Sequence, residues 1–123
     1  MTNKPLRTMV CVTVQRTCER LIREGAKYGD GDNLQILHVV HPGQALMGFN
    51  DDPGALEYLY EIARNYHAEM HVIRADEVVE TIVSMAEKNG IECIVMGARG
   101  AHGGHDYAYT LKARLPQVNF VIV

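Results

Sequence analysis

Ile91-Glu92-Cys93-Ile94-Val95-Met96 runs directly into Gly97-Ala98-Arg99-Gly100-Ala101-His102-Gly103-Gly104. A short, largely apolar and β-branched run bounded by glycines reads as a strand buried on both faces, followed by a turn in which backbone can approach a ligand closely. Just upstream, Val79, Ile82, Val83 and Ala86 recur at helical spacing, with Asp76 positioned to cap that helix and Gly90 to stop it. Downstream, Asp106 is positioned to cap a helix carrying Ala108, Leu111 and Leu115, and Pro116 blocks its continuation before a last apolar strand, Val118 to Val123. The C-terminal third thus reads helix, strand, glycine-rich turn, helix, strand.

The same alternation extends to the other end. Met9 to Val14 is an apolar, β-branched strand, and Thr17 can cap a helix whose inward stripe is Cys18, Leu21, Ile22, Gly25 and Ala26, with Gly29 to end it. Leu34 to Val40 is a second strand. Asp52 followed by Pro53 supplies an N-cap and a proline at the first helical position, and Leu56, Leu59, Ile62, Ala63 and Tyr66 form that helix's stripe. Met70 to Arg74 is a third, weaker strand. Strict alternation of this kind predicts an α/β fold: a single-domain, Rossmann-like five-stranded parallel sheet with helices on both faces, spanning residues 1–123, because right-handed crossovers lay each helix against the sheet.

Composition agrees. With 123 residues the chain can bury a core without staples, and 47% hydrophobic and 22% charged residues are ordinary for a globular protein. A net charge of −3 provides no basic footprint, so nucleic acid is not an expected partner. Of three cysteines, Cys11 and Cys93 sit in apolar runs as small hydrophobes, which suits a reducing, cytoplasmic setting. The apolar run after Met1 to Arg7 is too short for a signal sequence or a membrane span, so neither export nor membrane insertion is expected.

In parallel sheets ligands bind beyond the carboxyl ends of strands, where strand order reverses. That directs attention to Thr13–Thr17, His41–Asp52, Arg74–Asp76 and Gly97–Asp106. In the last of these, Gly97, Gly100, Gly103 and Gly104 would let backbone amides meet a phosphate, and Arg99 would add a permanent cation. The alternative is a βα connection whose glycines only relieve backbone strain.

Ile94-Val95-Met96-Gly97-Ala98-Arg99-Gly100 resembles the fourth strand and phosphate-loop start of the universal stress protein family, and the approach Ala86-Glu87-Lys88-Asn89-Gly90 is similar too. The first unit, Val10-Cys11-Val12-Thr13 followed by Cys18 to Arg23, is similar to the stress-protein-like domain of bacterial potassium-sensor kinases. The resemblance implies a small regulatory protein of the stress response that binds an adenine nucleotide or related phosphate ligand between the ends of the first and fourth strands. ATP, AMP and cyclic di-AMP are the ligands it suggests. Thr13 and Val40 would lie near the base, and Gly97, Arg99, Gly100, Gly103 and Gly104 would hold phosphate. Gly97 and Gly100 match the first half of the family's G-x2-G-x9-G-[S/T] pattern, whereas Thr110 and Leu111 occupy the second-half positions, and Gly104-His105-Asp106 takes that place when counted from the last strand. The family likeness also implies a homodimer through the C-terminal strand, and a ligand-free dimeric interaction module is the alternative function.

Other side chains point less sharply. His102, His105 and Asp106, with His41, have metal-ligand chemistry but no defining spacing, so no metal site is assigned. His38, His67 and His71 read as structural or exposed. In the long connection His41 to Asp52, Leu46, Met47 and Phe49 would close over a ligand or meet a partner, or else simply cover the sheet's upper edge. Cys18, at a helix start, has a position that acidifies thiols, but its place in the apolar stripe favours burial. No nucleophile–base order, paired carboxylates, Walker lysine or spaced cysteine cluster nominates a catalytic residue.

Overall fold

A computed structural model describes residues 6–12, 18–29, 33–40, 53–97 and 107–123. Along the chain come β1 (Thr8–Cys11), α1 (Cys18–Gly25), β2 (Leu34–Val40), α2 (Pro53–Asn65), β3 (Glu69–Arg74), α3 (Val78–Lys88), β4 (Cys93–Met96), α4 (Tyr107–Arg114) and β5 (Asn119–Ile122). Every paired strand is parallel, and the sheet order is β3-β2-β1-β4-β5. The α/β architecture read from the alternation is the one observed.

Side-chain alternation splits the core into two layers. On one face Met9, Leu37, Ile94 and Met96 pack with Ile82, Val83 and Ala86 of α3 and with Ala108 and Leu111 of α4. On the other, Val10, Val12, Leu34, Ile36, Cys93 and Val95 pack with Leu21 and Ile22 of α1 and with Leu59, Ile62 and Ala63 of α2. Two helices therefore cover each face. Apart from Thr8, strands β1 and β4 are apolar because both of their faces are inside. Edge strand β3, by contrast, has no fully buried residue and mixes exposed with half-buried ones.

Helix ends explain where the expected boundaries moved. Gly90 has φ +64 and follows the cap Asn89, with Ile91 N–H donating to the Ala86 carbonyl at 2.9 Å. That is a Schellman end with glycine in the left-handed position, as expected; it consumes Ile91, so β4 starts at Cys93 instead of Ile91. Helix α2 ends in the same way, but there His67 takes the left-handed role at φ 56, and Ala68 N–H reaches the Ala63 carbonyl at 2.8 Å. Asp76 is not the N-cap of α3: Glu77 is, without a side-chain capping bond. The Glu77 carbonyl accepts the first helical bond from Thr81 N–H at 3.0 Å and also accepts from Thr81 Oγ1 at 2.7 Å, so the helix begins one residue later than an Asp76 cap would set. Strand β1 begins at Thr8 and ends at Cys11, earlier than the expected Met9 to Val14, whose last two residues lie outside the described ones. Strand β5 is likewise shorter than the expected Val118 to Val123, because Val118 N–H bonds back to the Leu115 carbonyl at 3.1 Å.

Two glycines are selected for space. Gly29 does not end α1, which stops at Gly25; it is buried where a Cβ would collide with the Leu6 carbonyl and crowd Thr8 and Asn33. A Cβ on Gly25 would collide with Val10 Cγ2 and come within 3.3 Å of Leu34 Cδ1, so this glycine sets how closely α1 lies on β1 and β2. At the amino edge, Arg7 joins β1 to the end of α3 and the start of β4: its Nε donates to the Asn89 carbonyl at 2.8 Å, and its own carbonyl accepts from Glu92 N–H at 2.7 Å.

Gly25→Ala gains about 1 kcal/mol of helix propensity but overpacks the layer, a cost of about 1–3 kcal/mol. A net loss of stability is expected, read in urea unfolding as a lower midpoint at unchanged slope; a raised midpoint would contradict the close approach of α1.

Candidate functional site

Strand order reverses at β1. The chain adds β2 and then β3 on one side of β1, and crosses back through α3 to place β4 on the other. Val10 is in register with Val95, and Cys11 with Leu37, so the carboxyl ends of β2, β1 and β4 lie side by side. A crossover helix returns antiparallel to its strands, so the N-termini of α1, α2 and α4 also lie at this edge. In parallel α/β sheets ligands are received beyond the carboxyl ends of the strands at such a reversal, here between β1 and β4.

Val40 is the last residue of β2, in register with Arg74. Gly97, half-buried, follows Met96 immediately at the end of β4. These two expected site residues therefore stand at the same edge, on the strands flanking β1. Thr13, Arg99, Gly100, Gly103 and Gly104 lie outside the described residues, as do His41, Leu46, Met47, Phe49, His102, His105 and Asp106. Among the described residues, no three His, Cys, Asp or Glu side chains gather as a metal site, and no helix is long and apolar enough to cross a membrane.

One polar group at this edge was not singled out from the sequence. The backbone N–H of Val12 extends the β1–β2 ladder by donating to the Leu37 carbonyl at 3.0 Å. Its carbonyl accepts from the side chain of His38, whose Nδ1 is 3.0 Å away. His38 is only 3% exposed, and its buried Nε2 has no hydrogen-bond partner among the described residues. Burial holds the imidazole below its ordinary value near 6.5, with the bond to Val12 acting in the opposite direction. The ring is therefore neutral at pH 7, with its proton on Nδ1 and its lone pair on Nε2. A histidine in the run Leu37-His38-Val39 marks burial in sequence, but the partner, 26 residues away, does not show there. His67 is exposed, and His71 is half-buried with Nε2 3.3 Å from Glu69 Oε1.

Two described thiols, Cys11 at the carboxyl end of β1 and Cys93 at the amino end of β4, are kept protonated by burial. Burial pushes Cys11 up to about 12, and it raises Cys93 too, against a hydrogen bond with Thr8 that lowers it. Neither supplies a thiolate nucleophile at neutral pH.

Residues 6–108 match the family model described as Universal stress protein family. The chain belongs to the universal stress protein family. Solved structures have the same fold. A stress-family protein from Burkholderia pseudomallei is 14% identical, with 96% of each chain covered and a TM-score of 0.60. A universal stress protein in complex with cAMP is 13% identical, with 98% of each chain covered and a TM-score of 0.65. One from Archaeoglobus fulgidus is 18% identical, covering 94% of this chain and 90% of that one at a TM-score of 0.64. Identities this low carry the fold and not the ligand. No curated protein matches the chain. The likeness of the first unit to sensor-kinase domains gains no support from these stress-protein matches.

If burial governs the thiols, iodoacetamide at pH 8 leaves Cys11 and Cys93 of the native stress protein unmodified and labels both in urea, as read by peptide mass mapping. Rapid native labelling of Cys11 would contradict its raised pKa.

Proposed function

We propose that this stress protein is a cytoplasmic regulatory protein that binds an adenine nucleotide, or a related phosphate ligand, across the carboxyl ends of β1 and β4. The observation that carries the reading is the reversal of strand order at β1, next to a β4 that runs straight into Gly97 and the glycine-rich sequence after it. A stress protein of the same fold in complex with cAMP supports this ligand class. In this reading residues 1–123 act as one stress-type domain, Thr13 and Val40 border the base, and the amides of Gly97, Gly100, Gly103 and Gly104 meet phosphate, with Arg99 as counter-charge. Counted in sequence from the last strand, Asp106 takes the position of the family's hydroxyl residue, and a carboxylate there would oppose a long polyphosphate by like charge, which favours AMP, cAMP or cyclic di-AMP over ATP.

Thermal melting with ATP, AMP, cAMP and cyclic di-AMP tests this. A bound nucleotide at a hundred times its Kd adds about 2.7 kcal/mol to native stability, and Arg99→Ala weakens binding about tenfold if the guanidinium contacts phosphate. No shift with any of the four at millimolar concentration overturns the reading.

A second reading, a dimeric interaction module working without ligand, rests on β5. It is an end strand of the sheet, with Ile122 exposed and Phe120 and Val121 half-buried, so one backbone edge and an apolar surface are open to a second copy. Light scattering at high concentration is expected to give a dimer that Ile122→Lys dissociates. A wild-type monomer excludes it.

A further inference from the structure

We propose that Gln35, Glu69 and His71 form a binding site for a divalent cation of the zinc type, built on the neighbouring strands β2 and β3 on the sheet face that α3 and α4 cover. The site is independent of the nucleotide reading. Its donors stand in the amino halves of their strands, away from the carboxyl edge where β1 and β4 end.

Strand register brings the three together. Gln35 is paired with Glu69, and Leu37 with His71, and side chains paired across neighbouring strands point to the same face. The residues on either side fix which face that is: Leu37, Val39 and Ile73 belong to the layer with α3 and α4, whereas Ile36 and Met70 belong to the opposite one. The imidazole, the carboxylate and the amide therefore share one side of one strand pair.

Two of their polar atoms have no other use. Gln35 is only 7% exposed, and its Oε1 is buried without a hydrogen-bond partner among the described residues. His71 Nε2 is buried and unpartnered in the same way, although Glu69 Oε1 lies 3.3 Å from it. A buried polar atom left unpaired is costly, and two of them on one strand pair call for a common partner.

The spacing suits an ion better than a hydrogen bond. Two ligand atoms each about 2.1 Å from zinc, at the tetrahedral angle, stand about 3.4 Å apart, and 3.3 Å separates His71 Nε2 from Glu69 Oε1. The imidazole nitrogen selects zinc-type ions over magnesium or calcium, which take oxygen ligands. No three His, Cys, Asp or Glu side chains gather among the described residues, so the third protein ligand is the amide oxygen of Gln35. The Glu69 side chain is 67% exposed, so water reaches the fourth position and screens the one positive charge that a single carboxylate leaves on the site.

Calorimetric titration of Zn²⁺ into the metal-free full chain, carrying no histidine tag, tests the proposal. One zinc per chain is expected, with the Nε2 resonance of His71 moving on binding. His71→Phe, which keeps the bulk of a ring, and Glu69→Gln, at an exposed position, should each weaken binding by more than the roughly 10–100-fold that loss of a supporting partner costs. Gln35→Leu should weaken it as well, while the metal-free protein melts no lower, because an apolar side chain removes the unpaired buried oxygen. No zinc uptake by the wild type at micromolar concentration overturns the proposal, as does undiminished affinity in any of the three variants. Should His71→Phe not fold, an unmoved His71 Nε2 resonance in the zinc-loaded wild type overturns it alone.

Discussion

Strand β1 has hydrogen-bonded neighbours on both sides and helices on both faces, and the remaining architecture is arranged around that enclosure. Its residues Met9 and Val10 are wholly buried, one in each layer. Because β2 pairs with one edge and β4 with the other, the chain must reverse direction of growth at β1, and α3 must make the long crossover that closes the opposite face. The same strand that is enclosed on both faces is the one at which strand order reverses.

The two ends of the sheet are built differently. At the amino edge the backbone is drawn tight: Arg7 joins α3 to β4, Gly29 fits among Leu6, Thr8 and Asn33, and Gly90 turns the chain sharply into β4. Gly25 lets α1 approach the sheet closely enough for Leu21 and Ile22 to fill the layer beneath it. The ion pair of Arg114 with Glu80 joins α4 to α3 on the other face. A rigid base of this kind holds three strand ends in fixed register and leaves ligand chemistry to the segments that leave the carboxyl edge, where one fold can serve many ligands.

Polar groups inside the layers are few, so each has consequence. Cys11 and Cys93 behave as small hydrophobes, with thiols kept protonated by burial. His38 is different, because its bond to Val12 joins a titratable group to the strand end on which the site reading depends. Family membership and fold are secure where residues 6–108 match, while the ligand depends on side chains that differ from the family's glycine pattern after Gly100.

Periodicity is a local property, and what it governs was legible in the sequence. Apolar runs near Val10, Ile36 and Val95, helical stripes such as Ile82, Val83 and Ala86, and Gly90 as a helix stop all follow from neighbours a few residues apart, and they suffice for the α/β class, the element order and the likeness carried by Val95-Met96-Gly97-Ala98-Arg99-Gly100. Val40 and Gly97 were legible as strand-end residues for the same reason; Thr13, Arg99, Gly100, Gly103 and Gly104 stay readings of the sequence alone. Side chains that answer to distant partners were not legible. Gly29 is needed for space among Leu6, Thr8 and Asn33, Glu77 displaces Asp76 as a cap because its carbonyl takes the first helical bond from Thr81, and the bond of His38 to the Val12 carbonyl exists only because strand register brings the two together. Tertiary structure decided these, since a contact across the sheet depends on where both strands are placed and leaves no periodic trace in either.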